Sequence, residues 1–320
     1  MKFDKAIEGK VSICMPTYNR HNLIAEMIDS ILAQSYGNFE IIITDNSDSS
    51  LTHDLIKSKY KDDRIRYFKN DNNLGMGGNT RKALEFITGE FFTFTADDDV
   101  WIDHNKLSKQ IDYLNTYKDI PIVYTNASSI DYNGKNLEPF SSRYDLIEGE
   151  KLSAAELLPG NNTSFFLNIL TPVMRTSETL PVFKESWCFE SEEYFCYYIA
   201  STLTSIGFIP DVTVALREAE HYRTAIEDGK LVDWKKRKDI RIRQMISIFT
   251  TLTNLYPKTR GKLETPIVQN AIVRHLLSQA KSSRSPWLIA QTIASSYLFF
   301  RKFSLLGALK RQIRGGKSFG

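Results

Sequence analysis

Three consecutive carboxylates, Asp97-Asp98-Asp99, sit between the apolar run Phe91-Phe92-Thr93-Phe94-Thr95 and Val100-Trp101. Adjacent like charges repel, and Asp is a poor strand former, so the triplet is expected just beyond a strand rather than in it. A divalent cation reverses that cost. Mg²⁺ and Mn²⁺ take hard oxygen ligands, commonly one or two carboxylates completed by substrate phosphates. The chemistry on offer is therefore binding of a metal and a diphosphate. The plain alternative is a solvated acidic turn.

Three more clusters can share that chemistry: Pro16-Thr17-Tyr18-Asn19, Asp45-Asn46-Ser47, and the stretch Asn73 to Arg81 with Gly75 to Gly78. The Tyr18 ring can stack on a base, and Asp45 can accept an N–H from its edge. Gly75 lets backbone approach a ligand closely. Arg81 can face a phosphate, and the acidic triplet can hold metal and ribose. Each has a plainer use. Tyr18 can be a surface aromatic, Asp45 a cap on the following turn, Asn73 and Gly75 a simple turn, and Arg81 part of a solvated helix face.

The elements that position these clusters follow from periodicity. Val11 to Met15 reads as a strand ended by Pro16. Asn22 to Gln34 has a helical stripe at Leu23, Met27, Ile28, Ile31 and Leu32. Strands are expected at Phe39–Thr44, Ile65–Phe68, Phe91–Thr95 and Ile122–Tyr124. Helices are expected over Leu51–Lys59, capped by Ser50, after the Gly75–Gly78 loop to about Ile87, and over Lys106–Tyr117. Strands alternating with helices argue for an α/β fold with a doubly wound, mostly parallel sheet. Such sheets bind ligands at the carboxyl ends of their strands, where all four clusters fall. After Asn126 the pattern is less regular, with loop signals at Asn133-Gly134 and Pro159 to Asn162. Helices are expected at Glu190–Ile206, Lys235–Leu255, Pro266–Ser278 and Pro286–Gln312.

The 320 residues are of ordinary globular composition, 42% hydrophobic and 25% charged. Cys14, Cys188 and Cys196 form no CxxC pair, which fits a reducing cytoplasm rather than a disulfide framework. The charged start, Met1 to Lys10, lacks a signal-peptide core, and no apolar run reaches membrane-span length. The net charge of +3 hides an asymmetry: twelve Lys/Arg face one acid, Glu264, between Lys258 and Gly320. Within it, Pro286 to Arg314 mixes Trp, Tyr, Phe and Leu with basic residues. Such a helix suits an anionic membrane surface, the alternative being packing on another part of the protein or another subunit. No nucleic-acid recognition motif accompanies the charge.

Taken in order, Val11-Ser12-Ile13-Cys14-Met15-Pro16-Thr17-Tyr18-Asn19-Arg20, Gln34-Ser35-Tyr36, Glu40 to Ser47, Asn73-Leu74-Gly75, Gly89-Glu90-Phe91 and the Asp triplet resemble glycosyltransferase family 2. The resemblance is strong over residues 10–125, weaker to about 225 and absent beyond. It implies a GT-A fold, Rossmann-like with flanking helices, over residues 1–225. Residues 10–125 would bind the nucleotide, 126–225 would meet the acceptor, and 226–320 would be a basic helical region. It implies a nucleotide-sugar donor, a UDP-sugar being favoured, Mg²⁺ or Mn²⁺, and inversion at the anomeric carbon. The acceptor would be a glycan or glycolipid at the inner face of a membrane.

Carried over residue by residue, Thr17 and Tyr18 would flank the base, with Pro16 and Asn19 beside them in the donor site, and Asp45 would bond its edge. Asn73, Gly75 and Arg81 would line the donor site. Asp99 would ligate the metal, with Asp97 beside it. The family often has Asp, one residue, then Asp-Asp before an aromatic. Aligned on Trp101, the first position falls on Ala96, so either Asp97 or Asp98 meets the ribose. The family's acidic pair at a helix start is matched by Glu192-Glu193, with Glu193 the first choice of base and Glu192 the second. Glu stands where Asp is usual. Arg217, His221 and Arg223 match a segment near the donor phosphates. Two other classes compete. A nucleotidyltransferase would need a Gly-rich basic turn where Pro16 to Arg20 stands, and a binding module with a decayed site is supported only by Ala96.

Overall fold

A computed structural model of the chain describes residues 6–136, 152–153, 169–185, 205–217, 224–227 and 230–233. Seven elements open it in strict alternation: β1 (Ile7–Thr17), α1 (Ile24–Leu32), β2 (Phe39–Asp45), α2 (Leu51–Lys59), β3 (Ile65–Lys69), α3 (Gly75–Leu84) and β4 (Gly89–Phe94). Then come β5 (Val100–Trp101), α4 (Lys106–Thr116), β6 (Ile122–Ile130), β7 (Leu152–Ser153), β8 (Val173–Arg175), α5 (Thr176–Glu185) and β9 (Ser205–Arg217). A two-stranded pair, β10 (Thr224–Glu227) and β11 (Lys230–Asp233), follows.

The main sheet runs β3-β2-β1-β4-β8-β6-β9-β5, with β7 on β9. Its first four strands are parallel, with Val11 opposite Phe39, Ile13 opposite Ile41 and Thr93, and Ile41 opposite Ile65. Strands covered on both faces should be almost continuously apolar, and Val11, Ile13, Cys14, Met15, Ile41, Ile42 and Ile43 are all fully buried. Met27, Ile28 and Ile31 on α1 pack into the same core. At Gly89 a Cβ would stand 2.4 Å from the Lys10 carbonyl oxygen, so only glycine lets β4 start against β1.

Glu40 is the exception inside β2. Burial pushes its carboxyl up, but hydrogen bonds from Ser12, Thr88 and Arg66 outweigh that and hold it below the usual range. Ser12 Oγ, Thr88 Oγ1 and Arg66 each donate to it at 2.6 Å. One buried carboxylate thereby ties together β1, β2, β3 and the start of β4.

The second half of the sheet departs from a purely parallel design. β8 runs antiparallel to both β4 and β6, β6 is parallel to β9, and β5 is antiparallel to β9. The helix expected over Glu190–Ile206 lies outside the described residues except at its end, where Ser205 and Ile206 open β9. There Gly207 and Phe208 pair with Val123 and Tyr124, and this partnership overrides local helical preference. A Cβ at Gly207 would fall 2.3 Å from the Tyr113 ring. The Gly75–Gly78 stretch, expected as a loop, is the first turn of α3. Ser50 stands at the N-cap of α2, but its hydroxyl donates to the Asp54 carboxylate at 2.7 Å rather than capping backbone. The helices expected over Lys235–Leu255, Pro266–Ser278 and Pro286–Gln312 lie outside the described residues. Among the described residues, no helix is long and apolar enough to cross a membrane.

Candidate functional site

The carboxyl ends of β1, β2, β3 and β4 form one edge. Thr17 lies opposite Asp45 in the register. The Asn46 N–H donates to the Thr17 carbonyl at 3.0 Å and the Asn70 N–H to the Asp45 carbonyl at 2.9 Å. Three amide side chains knit this edge to α3. Asn79 Nδ2 donates to the Thr17 carbonyl at 3.1 Å, and Asn70 Nδ2 to Asn79 Oδ1 at 2.8 Å and Asn46 Oδ1 at 2.9 Å. Asn46 Nδ2 in turn donates to the Gly75 carbonyl at 3.1 Å, while Asn46 Oδ1 accepts the Leu74 N–H at 3.2 Å. The start of α3 is thus fixed against the end of β2. Gly75 has φ +69, a left-handed conformation that favours glycine, and its N–H is held by Asn73 Oδ1 at 2.9 Å.

Tyr18 projects from this edge with 46% exposure, and its hydroxyl donates to Asp48 Oδ2 at 3.0 Å. Asn19, at φ 55, donates its N–H to Ser47 Oγ at 2.8 Å and its side chain to Asp48. The ring face is therefore open to a ligand while its hydroxyl is fastened to Asp48. Asp45 is fully buried. Oδ1 accepts the Ser47 N–H at 2.6 Å and Oδ2 the Tyr67 hydroxyl at 2.5 Å, with Lys69 Nζ 3.6 Å away. Asp45 both braces its own turn and sits at the expected edge. A further N–H from a ligand would share an oxygen already engaged.

The acidic triplet lies one strand over, past β4, and all three side chains are buried. Arg20, just beyond the β1 motif, forms an ion pair with Asp98 and stands 3.8 Å from Asp97. Burial pushes the Asp97 carboxyl up, and the Arg20 charge opposes this. Asp97 Oδ2 is buried with no hydrogen-bond partner among the described residues. Asp99 Oδ1 accepts the backbone N–H of Arg217 at 2.8 Å.

Among the described residues, no group of three or more Asp, Glu, His or Cys side chains converges as a ready-made metal cage. A cation held by one or two carboxylates and otherwise by diphosphate oxygens does not require one. The buried Asp97 oxygen beside Asp99 fits that arrangement.

Pro16, Thr17, Tyr18, Asn19, Asp45, Asn73, Gly75 and the Asp triplet are gathered at strand ends and turns along this carboxyl edge. Arg81 stands apart in the last turn of α3, about 9 Å along the helix axis from Gly75 at 1.5 Å per residue. Arg217 does not present a free cation. It is buried, and its guanidinium is engaged by Glu26 and by the carbonyls of Asp98, Asp131 and Tyr132. Glu192, Glu193, His221 and Arg223 lie outside the described residues. The asparagine network and Arg20 were not singled out by sequence reasoning. Arg20 had a signal, lying next to Asn19 in the first motif. The asparagines had none, because their convergence depends on the sheet.

This architecture is the α/β GT-A-like glycosyltransferase fold. It superposes on a solved structure of Staphylococcus aureus TarS 1-349 in complex with UDP-GlcNAc, with TM-score 0.58 and 15% identity, covering 97% of this chain and 93% of that one. The mannosyltransferase PcManGT from Pyrobaculum calidifontis, in complex with GDP-Man and Mn²⁺, superposes with TM-score 0.53 and 16% identity, over 95% of this chain and 79% of that one. Residues 12–166 match the model of glycosyl transferase family 2. A relative from Escherichia coli, UDP-Glc:alpha-D-GlcNAc-diphosphoundecaprenol beta-1,3-glucosyltransferase WfgD, is 34% identical over 138 residues, 42% of this chain and 53% of that protein. The chain spans about half the length, or less, of the curated relatives it matches.

Proposed function

We propose that the protein is an inverting, metal-dependent glycosyltransferase. It would move a sugar from a nucleotide-sugar donor to a lipid-linked or polysaccharide acceptor in surface-glycan synthesis. The observation that carries this reading is the single edge joining an exposed Tyr18 ring, Asp45, the Asn46-fixed start of α3 and the buried Asp97–Asp99 turn. Tyr18 would stack on the base, with Pro16, Thr17, Asn19, Asn73 and Gly75 around the nucleoside and Asp45 at the base edge. Asp97 or Asp98 would hold the ribose. Arg20, paired to Asp98, would set a positive charge beside these buried carboxylates.

Asp99, with Asp97, would hold Mn²⁺ or Mg²⁺, which when bound neutralises the charge that builds on the departing diphosphate. A carboxylate must take the proton of the attacking hydroxyl. Glu193, or failing that Glu192, is proposed for it. UDP-sugars are favoured as donors because WfgD is named for UDP-Glc and TarS was captured with UDP-GlcNAc. A diphosphoundecaprenol-linked sugar is favoured as acceptor because WfgD and a Campylobacter jejuni relative, a GalNAc(5)-diNAcBac-PP-undecaprenol beta-1,3-glucosyltransferase, are named for such acceptors. Work at the inner face of a membrane, with the basic tail of residues 286–314 on anionic lipid, follows from that acceptor.

The test is release of UDP from UDP-sugars with Mn²⁺, first alone and then with a lipid-linked oligosaccharide extract. Release that requires the extract and transfers label to it supports the reading. Nucleotide binding without transfer to any acceptor would favour a binding module instead. Formation of a sugar nucleotide from a sugar phosphate and UTP would mark a nucleotidyltransferase.

A further inference from the structure

Arg217 ends β9, is buried and is held by five separate hydrogen bonds. Its backbone N–H donates to Asp99 Oδ1 at 2.8 Å, and Nε to the Asp98 carbonyl at 2.6 Å. One terminal nitrogen donates to the Tyr132 carbonyl at 2.7 Å and the Asp131 carbonyl at 3.2 Å. The other donates to Glu26 Oε2 on α1 at 2.6 Å. The turn that offers those two carbonyls is itself shaped for the purpose. Gly134 has φ +83, its N–H closes on the Asp131 carbonyl at 3.0 Å, and Asp131 Oδ1 accepts the N–H groups of Asn133 and Lys135.

The geometry points to Arg217 as a positioning residue for the acidic turn, with Glu26 as its counter-charge, rather than as a ligand of the donor phosphates. The planar, five-donor guanidinium can bridge acceptors arrayed on three sides, which a lysine ammonium cannot match in geometry. The backbone N–H holds the Asp99 carboxylate and the guanidinium holds the Asp98 carbonyl, so the side chain's anchorage sets where that N–H stands and with it the direction in which Asp99 presents its carboxylate. Groups that orient a metal ligand without touching the metal typically change affinity by about 10–100-fold when removed. This inference rests on the reading of Asp99 as a metal ligand.

The experiment uses the full chain and two variants, Arg217→Lys and Glu26→Gln. Each is titrated with Mn²⁺ at fixed UDP, reading thermal stabilisation and, in parallel, free Mn²⁺ by electron paramagnetic resonance. The expected result is a Mn²⁺ midpoint raised about 10–100-fold in Arg217→Lys and raised less, in the same direction, in Glu26→Gln. A purely structural role would lower the unliganded melting temperature and leave the midpoint where it is, and that result overturns the inference while the donor-site reading stands. If Arg217→Lys does not fold, Glu26→Gln decides, and an unmoved midpoint there overturns the inference. If the unmodified protein shows no Mn²⁺-dependent response to UDP, the metal reading and this inference fall together.

Discussion

Lys106 Nζ lies 4.8 Å from the ring centre of Trp101, and both side chains are buried. It donates to Gln110 Oε1 at 2.6 Å and to the Thr171 carbonyl at 2.8 Å. Burial pushes its ammonium down to about 7, against a smaller upward pull from Asp103. An unfolded lysine titrates near 10.4. Between these values the unfolded chain binds more protons, so stability rises with pH across that window. Below about 7 both states are protonated and this contribution is flat. Urea denaturation from pH 6.5 to 9 should show a slope of at most about 1.4 kcal/mol per pH unit from this group. Lys106→Met should remove that slope, and an identical slope in the variant would refute the assignment.

Asp99→Asn tests the metal. The amide keeps an oxygen that can accept the Arg217 N–H now held by Asp99 Oδ1, so the turn should survive. The ligand charge is gone, and Mn²⁺-dependent stabilisation by UDP should disappear. A folded variant with unchanged metal dependence would remove Asp99 from the ligand set.

Glu193→Gln is nearly isosteric and takes away only the proton acceptor. Turnover should fall by about 10²–10⁴-fold, the usual contribution of general base catalysis, with donor affinity almost unchanged. Normal turnover in Glu193→Gln together with its loss in Glu192→Gln would move the role to Glu192.

Truncation after Ser285 removes six basic residues, Arg301, Lys302, Lys310, Arg311, Arg314 and Lys317, along with the apolar residues between them. Co-sedimentation with anionic liposomes should drop sharply, while UDP binding persists. Binding by the intact chain should weaken with salt, because charges are screened over about 8–10 Å near physiological ionic strength. Precipitation or unfolding of the truncated protein would show that the tail packs on protein rather than lipid.

The alternation from Val11 to Tyr124 was legible because short apolar runs are separated by segments of helical character, α1 showing it in a stripe of Met27, Ile28 and Ile31. The cluster of Thr17, Tyr18, Asp45 and the Asp triplet was legible for the same reason, since parallel strands put their ends together. What was hidden depends on distant partners. β8 is three residues long and exists by pairing with Phe91 and Ile122. The opening of β9 looked helical, but Gly207 accommodates the Tyr113 ring and pairs with Val123. Arg217 looked like a phosphate ligand because its sequence neighbours suggested one, whereas the acceptors that claim it come from Glu26, Asp98 and the turn at Asp131.

The link from Arg217 to Asp99 spans 118 residues, and the one from Arg217 to Glu26 spans 191. During synthesis the amino-terminal strands emerge first, and β1 to β4 can zip together from local crossovers before the rest is made. The acidic turn cannot be fastened then, because its clasp is still untranslated. The Tyr18 and Asp45 end of the edge can thus form early, while the Asp97–Asp99 turn is fastened only when β9 is laid beside β6. The edge is completed in the order in which its far-separated segments meet.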